Sequence, residues 1–511
     1  MAFQSILFID DGDHETAAIE EAREAARDLN LDQIVDAITA GRDEYDLQSY
    51  FYTPLRDLAT IVYRQAIFRD LEDPALFAAI KRFAEGMRTM RRYRALADKL
   101  YYRPNQQGWF LEAAQRYCAT VQELARDLAA LPLESQGWQQ LRAYLAAYVV
   151  SDAFATLLRD TDALKVELAS VRFCIVRKGD RVRVQPYEDE ADYSIEIQRA
   201  FAKFQQGAAK DYRVAYTDDA GINHIEAAIL EGVAKLYPAV FERLATYCAQ
   251  HAGFLDATLA RFDREAQFYL SYLEHIAPLR QAGLPFCYPR VSKTSKQIVA
   301  RDTFDLALAH KLIATDQPVV RNDMRLDDHE RIMVVSGPNQ GGKTTFARAF
   351  GQLHHLARLG CAVPGREAQL FLCDRIFTHF EQEEDISDLR SKLESDLHRI
   401  HAILEQATPD SIIILNEIFS STTFQDALAL SNRIMERILR LDALCVWVTF
   451  IVELTTLSET IVSMVSTVVP DNPSERTFKI ARRRADGLAY ALTIAEKYGL
   501  TYDCIKERIP A

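Results

Sequence analysis

Long apolar runs are missing from this sequence: none approaches the ~18 to 20 residues a membrane-spanning helix needs, so no membrane partner is expected. The beginning, MAFQSILFIDDGDHE, lacks a basic stretch followed by a long apolar one, and a secretory leader is not expected either. Paired cysteines are missing too. The eight cysteines are scattered with no C-x-x-C pair, which speaks against a zinc site or a disulfide framework and fits a reducing cytoplasm. Positive charge is in short supply: 60 Lys and Arg face 73 Asp and Glu, for a net charge of −13. A chain that met nucleic acid over its whole surface would be basic. Contact with DNA or RNA therefore has to come from a local patch. Internal repeats and low-complexity segments are absent as well.

What is there is globular. With 511 residues, 49% hydrophobic and 26% charged, the chain exceeds one ordinary core and is expected to form two to four domains. From Asp46 to Leu164 apolar residues recur at three- and four-residue spacing, as in LRDLATIVYRQAIFRDL, which predicts helices. Arg88, Arg91, Arg92, Arg94 and Lys99 make this region locally basic. Such runs are usually solvated helix faces, and a phosphate-binding patch is the alternative. At Val171 the period changes to two. VRFCIVRKGDRVRVQP alternates on both sides of Lys178-Gly179-Asp180 and predicts a β-hairpin. A further strand is expected at Arg213 to Tyr216, and helix from His224 to Ile276 with a break near Gln250 to Gly253. From Gln297 onward short apolar runs alternate with helical segments, the pattern of α/β architecture.

The most specific signal is RIMVVSGPNQGGKTTFARAF. Residues Gly337 to Thr344 match G-x-x-x-x-G-K-[ST] between an apolar run, Ile332 to Val335, and a helical pattern, the context a P-loop requires. Glycines let successive N–H groups turn toward phosphate oxygens, and the helix N-terminus adds positive potential. Lys343 is expected to bridge the terminal phosphates and Thr344 to ligate Mg²⁺. In SIIILNEIF a buried-strand run ends at Asn416 and Glu417. An acid at such a strand end holds Mg²⁺ through water, and a following acid polarises the attacking water. Glu417 fits the base role. Asn416 orients a water but brings no charge.

At these residues the chain resembles the MutS family of DNA mismatch repair ATPases. The family's GPNMGGKST is similar to Gly337-Pro338-Asn339-Gln340-Gly341-Gly342-Lys343-Thr344-Thr345, its GxxVPA to Gly360-Cys361-Ala362-Val363-Pro364-Gly365, and its DRIFT is intact at 374–378. Its TSTxDGLxL is echoed at Thr422 to Leu430. Tyr52-Thr53-Pro54-Leu55-Arg56-Asp57 and Arg64-Gln65-Ala66-Ile67 resemble the family's helical core more loosely. The resemblance implies a helical core and outgoing lever over residues 1–165 and a small β-containing clamp-like region over 166–225. It further implies returning lever helices over 226–296 and a P-loop ATPase domain of the ABC/MutS type over 297–511. It implies ATP and Mg²⁺ as ligands, a homodimer through the ATPase domains, and Ser391, in the segment Leu389 to Leu397, reaching the partner's γ-phosphate.

Several features depart from the family. Helical core sequence begins near residue 46, leaving no room for a mismatch-sensing domain, and Phe110-Leu111-Glu112, which imitates its wedge, lies in a helical pattern and is expected to be core. Asn416 stands where the family has aspartate. Phe450, in Val448-Thr449-Phe450, replaces the family's switch histidine. Slow or unusually gated hydrolysis is the expectation. The segment before the P-loop, Pro318-Val319-Val320-Arg321-Asn322, lacks the family's aromatic, so the adenine pocket is unassigned. The family's carboxy-terminal helix-turn-helix extension is not recognised.

The leading functional expectation is a nucleotide-gated dimeric clamp on duplex or branched DNA, acting in repair or recombination in the cytoplasm. The alternative is a nucleotide-switched ATPase working on a non-DNA partner such as a ribosome or protein complex. A purely structural, degenerate ATPase is the third.

Overall fold

A computed structural model describes residues 3–9, 19–179, 181–188, 224–380, 392–469, 472–485 and 506. Contacts divide these into two units. One holds Phe3 and the described residues of Leu71–Glu134 and Trp138–Asp263; the other holds those of Gln4–Asp70, Ser135–Gly137 and Arg264–Ala511.

The first unit is helical. Its long pair, Pro74–Lys99 and Arg103–Ala130, begins with Pro in the first turn of each helix, where the missing N–H costs nothing. The pair meets at Gly86: a β-carbon there would lie 2.3 Å from Thr120 Oγ1, so only glycine allows the approach. Phe110 packs against Phe254 at 5.5 Å between centroids, Leu111 is buried and Glu112 pairs with Lys165. Of the wedge-like triplet Leu111 is core, while Phe110 and Glu112 are partly exposed. The hairpin forms as strands β1, Phe173–Lys178, and β2, Arg181–Pro186, antiparallel with Lys178 opposite Arg181. Val184 of β2 packs on Gly232 of the helix His224–Leu236. The expected helical stretch from His224 breaks twice, at Tyr237 before Pro238–Gln250 and again before Ala257–Gln281. The first break reflects Pro238, which cannot donate to the preceding turn. The expected strand at 213–216 lies outside the described residues.

One member of the basic run, Arg91, and Arg82 on the same helix are neutralised within this unit. Arg91 pairs with the buried Asp263, and Arg82 reaches Glu123 at 3.2 Å and Asp127 at 2.7 Å. Among the described residues no single helix is long and apolar enough to cross a membrane.

The second unit is α/β. Short strands β3 (Phe286–Cys287), β4 (Arg290–Ser292), β5 (Ile298–Thr303) and β6 (Asn322–Leu326) precede β7 (Ile332–Ser336). They are followed by β8 (Val363–Pro364), β9 (Glu367–Phe371), β10 (Ile376–Phe380), β11 (Ile412–Asn416), β12 (Leu444–Val448), β13 (Ile461–Val469) and β14 (Asn472–Arg482). The main sheet runs β10-β11-β12-β7-β13-β14, with all neighbours parallel except β13 and β14; a smaller sheet runs β4-β9-β5-β6. Every residue of β7, β10, β11 and β12 is buried, as expected for strands of a parallel sheet covered on both faces.

Residues 4–70 belong to this unit rather than to a helical domain ending at residue 165. The reason is local packing. Leu29 fills the space over Gly351 of the helix Lys343–Arg358, where a β-carbon would meet it at 2.6 Å. Arg348 and Gln352 of that helix donate to the carbonyls of Asp28 and Leu29 at 2.9 Å each. The Asp28 carboxylate accepts from Thr378 at 2.8 Å and pairs with Arg399 at 3.2 Å. Buried Arg64 donates to the carbonyls of Leu7 and Leu359.

Desolvation in the same unit favours the neutral imidazole at four histidines, His354 and His355 being buried and His275 and His310 partly so. Burial pushes His275 down to about 3, with neighbouring His310 adding to it, and holds His354 and His355 at about 4; His310 is also lowered by burial. All lie below the ordinary value of about 6.5. Between the folded and unfolded values the unfolded chain binds more protons, so stability is complete above about pH 6.5 and falls as pH drops toward 4. Asp305, whose carboxyl burial pushes up, works in the opposite sense but is one group against four. The urea midpoint of this unit is therefore expected to fall between about pH 7 and about pH 5, and a midpoint constant over that interval would contradict the assignment.

Candidate functional site

The order of the main sheet locates the site. After β7 the chain passes to the edge strand β10, returns through β11 and β12, and then crosses to β13 on the other side of β7. Strand order reverses at β7, and in open α/β sheets ligands bind beyond the carboxyl ends of strands at such a point. Register brings those ends level: Val335 pairs with Val448, and Val448 with Asn416. The Glu417 N–H donates to the Val448 carbonyl at 2.9 Å, and the Thr449 N–H to that of Val335 at 3.0 Å.

The loop 337–342 leaves β7 and enters the helix Lys343–Arg358 through Gly342, whose φ of 89° suits glycine alone. Gly337 has φ 121° and Gln340 φ 60°. Lys343, the first helical residue, is 5% exposed. Its ammonium donates to the carbonyls of Gly337 at 3.2 Å and Pro338 at 3.1 Å and to Asn339 Oδ1 at 3.2 Å, and it pairs with Glu417 Oε1 at 3.3 Å. Thr344 Oγ1 donates to Asn416 Oδ1 at 3.0 Å. The residues singled out in two separate motifs thus meet in space: lysine with glutamate, threonine with asparagine.

Glu417 and Phe419 both lie in the left-handed region, with φ 52° and 62°. Non-glycine residues seldom adopt it, and strain of this kind clusters at functional turns. The turn is tied down by Asp396 of the helix Lys392–Gln406, which accepts from the Phe419 N–H at 3.4 Å and from His379 Nε2 at 2.9 Å. Phe450 is half-exposed beside Phe424, with ring centroids 6.4 Å apart. Ser391 lies outside the described residues.

Sequence reasoning missed Ser466 and Asp396. Ser466 is fully buried in β13 and donates to the Gly341 carbonyl at 2.7 Å. Its Cβ would lie 2.9 Å from a β-carbon on Gly337, so it fills the floor beneath both loop glycines. The available signal was a serine in an otherwise apolar strand, IVSMVSTVV. Asp396 gave no signal, because its partner His379 is remote in sequence.

The donors suit a hard cation in kind. The Thr344 hydroxyl and Asn416 amide oxygen converge, and oxygen ligands are what Mg²⁺ takes. Both are neutral, so the negative charge a magnesium site needs has to come from Glu417 or from bound phosphate. A β-carbon at Gly341 would meet Ser466 Oγ at 2.2 Å and the Pro338 carbonyl oxygen at 2.9 Å. Gly341→Ala is therefore expected to destabilise this unit by about 1–3 kcal/mol, with Ser466→Ala relieving part of the loss in the double variant. Strict additivity in denaturant unfolding would contradict the contact.

Residues 333–508 match the family model of MutS domain V. The chain is 27% identical over 282 residues to the DNA mismatch repair protein MutS of Chlorobium phaeovibrioides, which covers 53% of this chain and 31% of that protein. It is 28% identical over 196 residues to the DNA mismatch repair protein MutS of Thermotoga neapolitana, covering 37% and 24% respectively. The matched stretches thus span about a third or less of these relatives' length. With domain V matched and both relatives bearing the same name, residues 333–508 form a domain of the MutS domain V type.

Proposed function

We propose that this protein is an ATPase whose loop 337–344 binds Mg·ATP and whose nucleotide state gates a dimer on DNA. The observation that carries the reading is the convergence of Lys343 and Thr344 with Asn416 and Glu417 at the end of β7, where strand order reverses. The backbone N–H groups of Asn339 to Thr344 receive the β- and γ-phosphates, helped by the helix N-terminus. Lys343 then exchanges its carbonyl and amide acceptors for phosphate oxygens. Thr344 and, through water, Asn416 would hold Mg²⁺, which would offset charge on the phosphates. Glu417 orients and deprotonates the attacking water.

The Lys343–Glu417 pair of 3.3 Å has a consequence for this cycle. As long as the lysine holds the carboxylate, Glu417 is not available as a base. Phosphate draws the lysine away, so binding arms the glutamate. Asn416 supplies no charge, and Phe450 offers no hydrogen bond at the end of β12; both favour slow turnover.

The dimer forms through the ATPase faces, with Ser391 completing the partner's site and the half-exposed Phe424 and Phe450 at the contact. The helical unit serves as core and levers, with residues 166–225 as a reduced clamp, in the cytoplasm. DNA is the substrate because the relatives are named DNA mismatch repair proteins, and backbone contacts dominate because no base-reading motif is present. A second reading, a non-DNA partner such as a ribosome or protein complex, is favoured by the net charge of −13 and by the pairing of Arg82 and Arg91 within their own unit.

Lys343→Ala is expected to abolish nucleotide binding in equilibrium titration. Glu417→Gln should abolish hydrolysis yet bind ATP about twofold to fivefold more tightly, because the competing carboxylate is gone. Turnover that survives Glu417→Gln would remove the glutamate from its role. Asn416→Asp is expected to raise the turnover rate. Affinity for duplex or junction DNA should fall steeply with salt. Absence of binding to any duplex, junction or loop substrate would leave the non-DNA reading standing.

A further inference from the structure

Strand β14 is interrupted at its middle. Ser466 of β13 pairs with Ile480 and Val468 with Arg476, so a single residue, Thr467, faces Thr477, Phe478 and Lys479. At the centre of this bulge Phe478 has φ 56°, a conformation in which its β-carbon crowds the backbone. The residue is 48% exposed, so apolar burial does not compensate. Polar contacts hold the bulge instead. Asn322 Nδ2 donates to the Phe478 carbonyl at 3.1 Å while its Oδ1 accepts from the Ile480 N–H at 2.8 Å. Thr477 donates to the Thr467 carbonyl at 2.9 Å, and the Lys479 ammonium donates to the Arg321 carbonyl. A bulge of this kind re-aims a side chain that a regular strand would place elsewhere.

The residue it re-aims lies against the phosphate loop. A β-carbon on Gly342 would stand 3.6 Å from the Phe478 carbonyl oxygen and 3.7 Å from its Cα and Cβ. Gly342 leads into the helix that carries Lys343. Asn416, Glu417 and Phe450 lie at the ends of β11 and β12, on one side of β7. Phosphate chemistry is thus assigned to that side. A nucleoside leaving the loop away from that side would meet β13 and β14, where Phe478 is the half-exposed aromatic.

We infer that Phe478 is the stacking platform for the base of the bound nucleoside triphosphate. The inference rests on the phosphate-loop reading above. It supplies the base contact that the segment Pro318 to Asn322 lacks, while Asn322 acts as the positioning residue that holds the bulge. Every nucleobase has a π-face, so the platform by itself accepts adenine and guanine alike.

The test is calorimetric titration of the full chain with Mg·ATP, Mg·GTP and Mg·tripolyphosphate, the last having phosphates but no base. Phe478→Ala is expected to weaken ATP and GTP by about tenfold or more and to leave tripolyphosphate within about twofold of the parent. Phe478→Trp should keep ATP affinity, with an emission change on ATP addition that tripolyphosphate does not produce. Unchanged ATP affinity in Phe478→Ala, or an equal loss for tripolyphosphate, overturns the platform. Lys343→Ala separates the two levels. If it loses all three ligands while Phe478→Ala binds ATP normally, only the platform falls. If the parent binds none of the three, the loop reading falls and takes the platform with it.

Discussion

A buried lysine with several oxygen acceptors and one carboxylate is the constraint around which the second unit is organised. Burying an ammonium is unfavourable unless its hydrogen bonds are met. Here the carbonyls of Gly337 and Pro338, the side chain of Asn339 and the carboxylate of Glu417 meet them. That arrangement needs the loop to curl back over its own first helical residue, which needs Gly337 and Gly342, which in turn need a floor without bulk, supplied by Ser466. It also needs β7, β11 and β12 to end level, which their register provides. Remove any one of these and the ammonium loses its neighbours.

The polar frame beyond the lysine carries the same logic outward. Asp396 ties the turn holding Glu417 to His379, and so links β10, the helix Lys392–Gln406 and the carboxyl end of β11. On the far side of the helix Lys343–Arg358, Asp28 and Leu29 lock residues of the amino-terminal segment onto it. A site built on a helix clamped at several points along its length keeps its geometry better than one on a free loop. Asn and Asp tolerate positive φ; the described residues outside Gly, Asn and Asp that adopt it, Gln340, Glu417, Phe419 and Phe478, all lie where the chemistry is proposed.

Much of this was legible in the sequence because local signals carry it. The strand–loop–helix around Lys343, the buried run ending at Asn416, the hairpin at Lys178-Gly179 and the α/β pattern after Gln297 each rest on residues adjacent in the chain. What was not legible depends on contacts across long separations. Nothing near residue 28 announces that it reaches Thr378 and Arg399, so the packing of residues 4–70 with the α/β unit could not be read from periodicity. Ser466 and Asn322 are ordinary polar residues until β13 and β14 bring them beside the loop. Phe478 looks like any strand aromatic, since alternation cannot reveal a bulge that turns one residue out of register.

The account depends on phosphate being received by the backbone of 337–344, and amide hydrogen exchange reads that backbone directly. Adding Mg·ATP is expected to slow exchange in peptides covering 337–345 and 416–419 together, while peptides of the hairpin tip at Lys178-Gly179 provide a control. Exchange at 337–345 that is identical with and without saturating Mg·ATP, in a chain that remains folded, would contradict it.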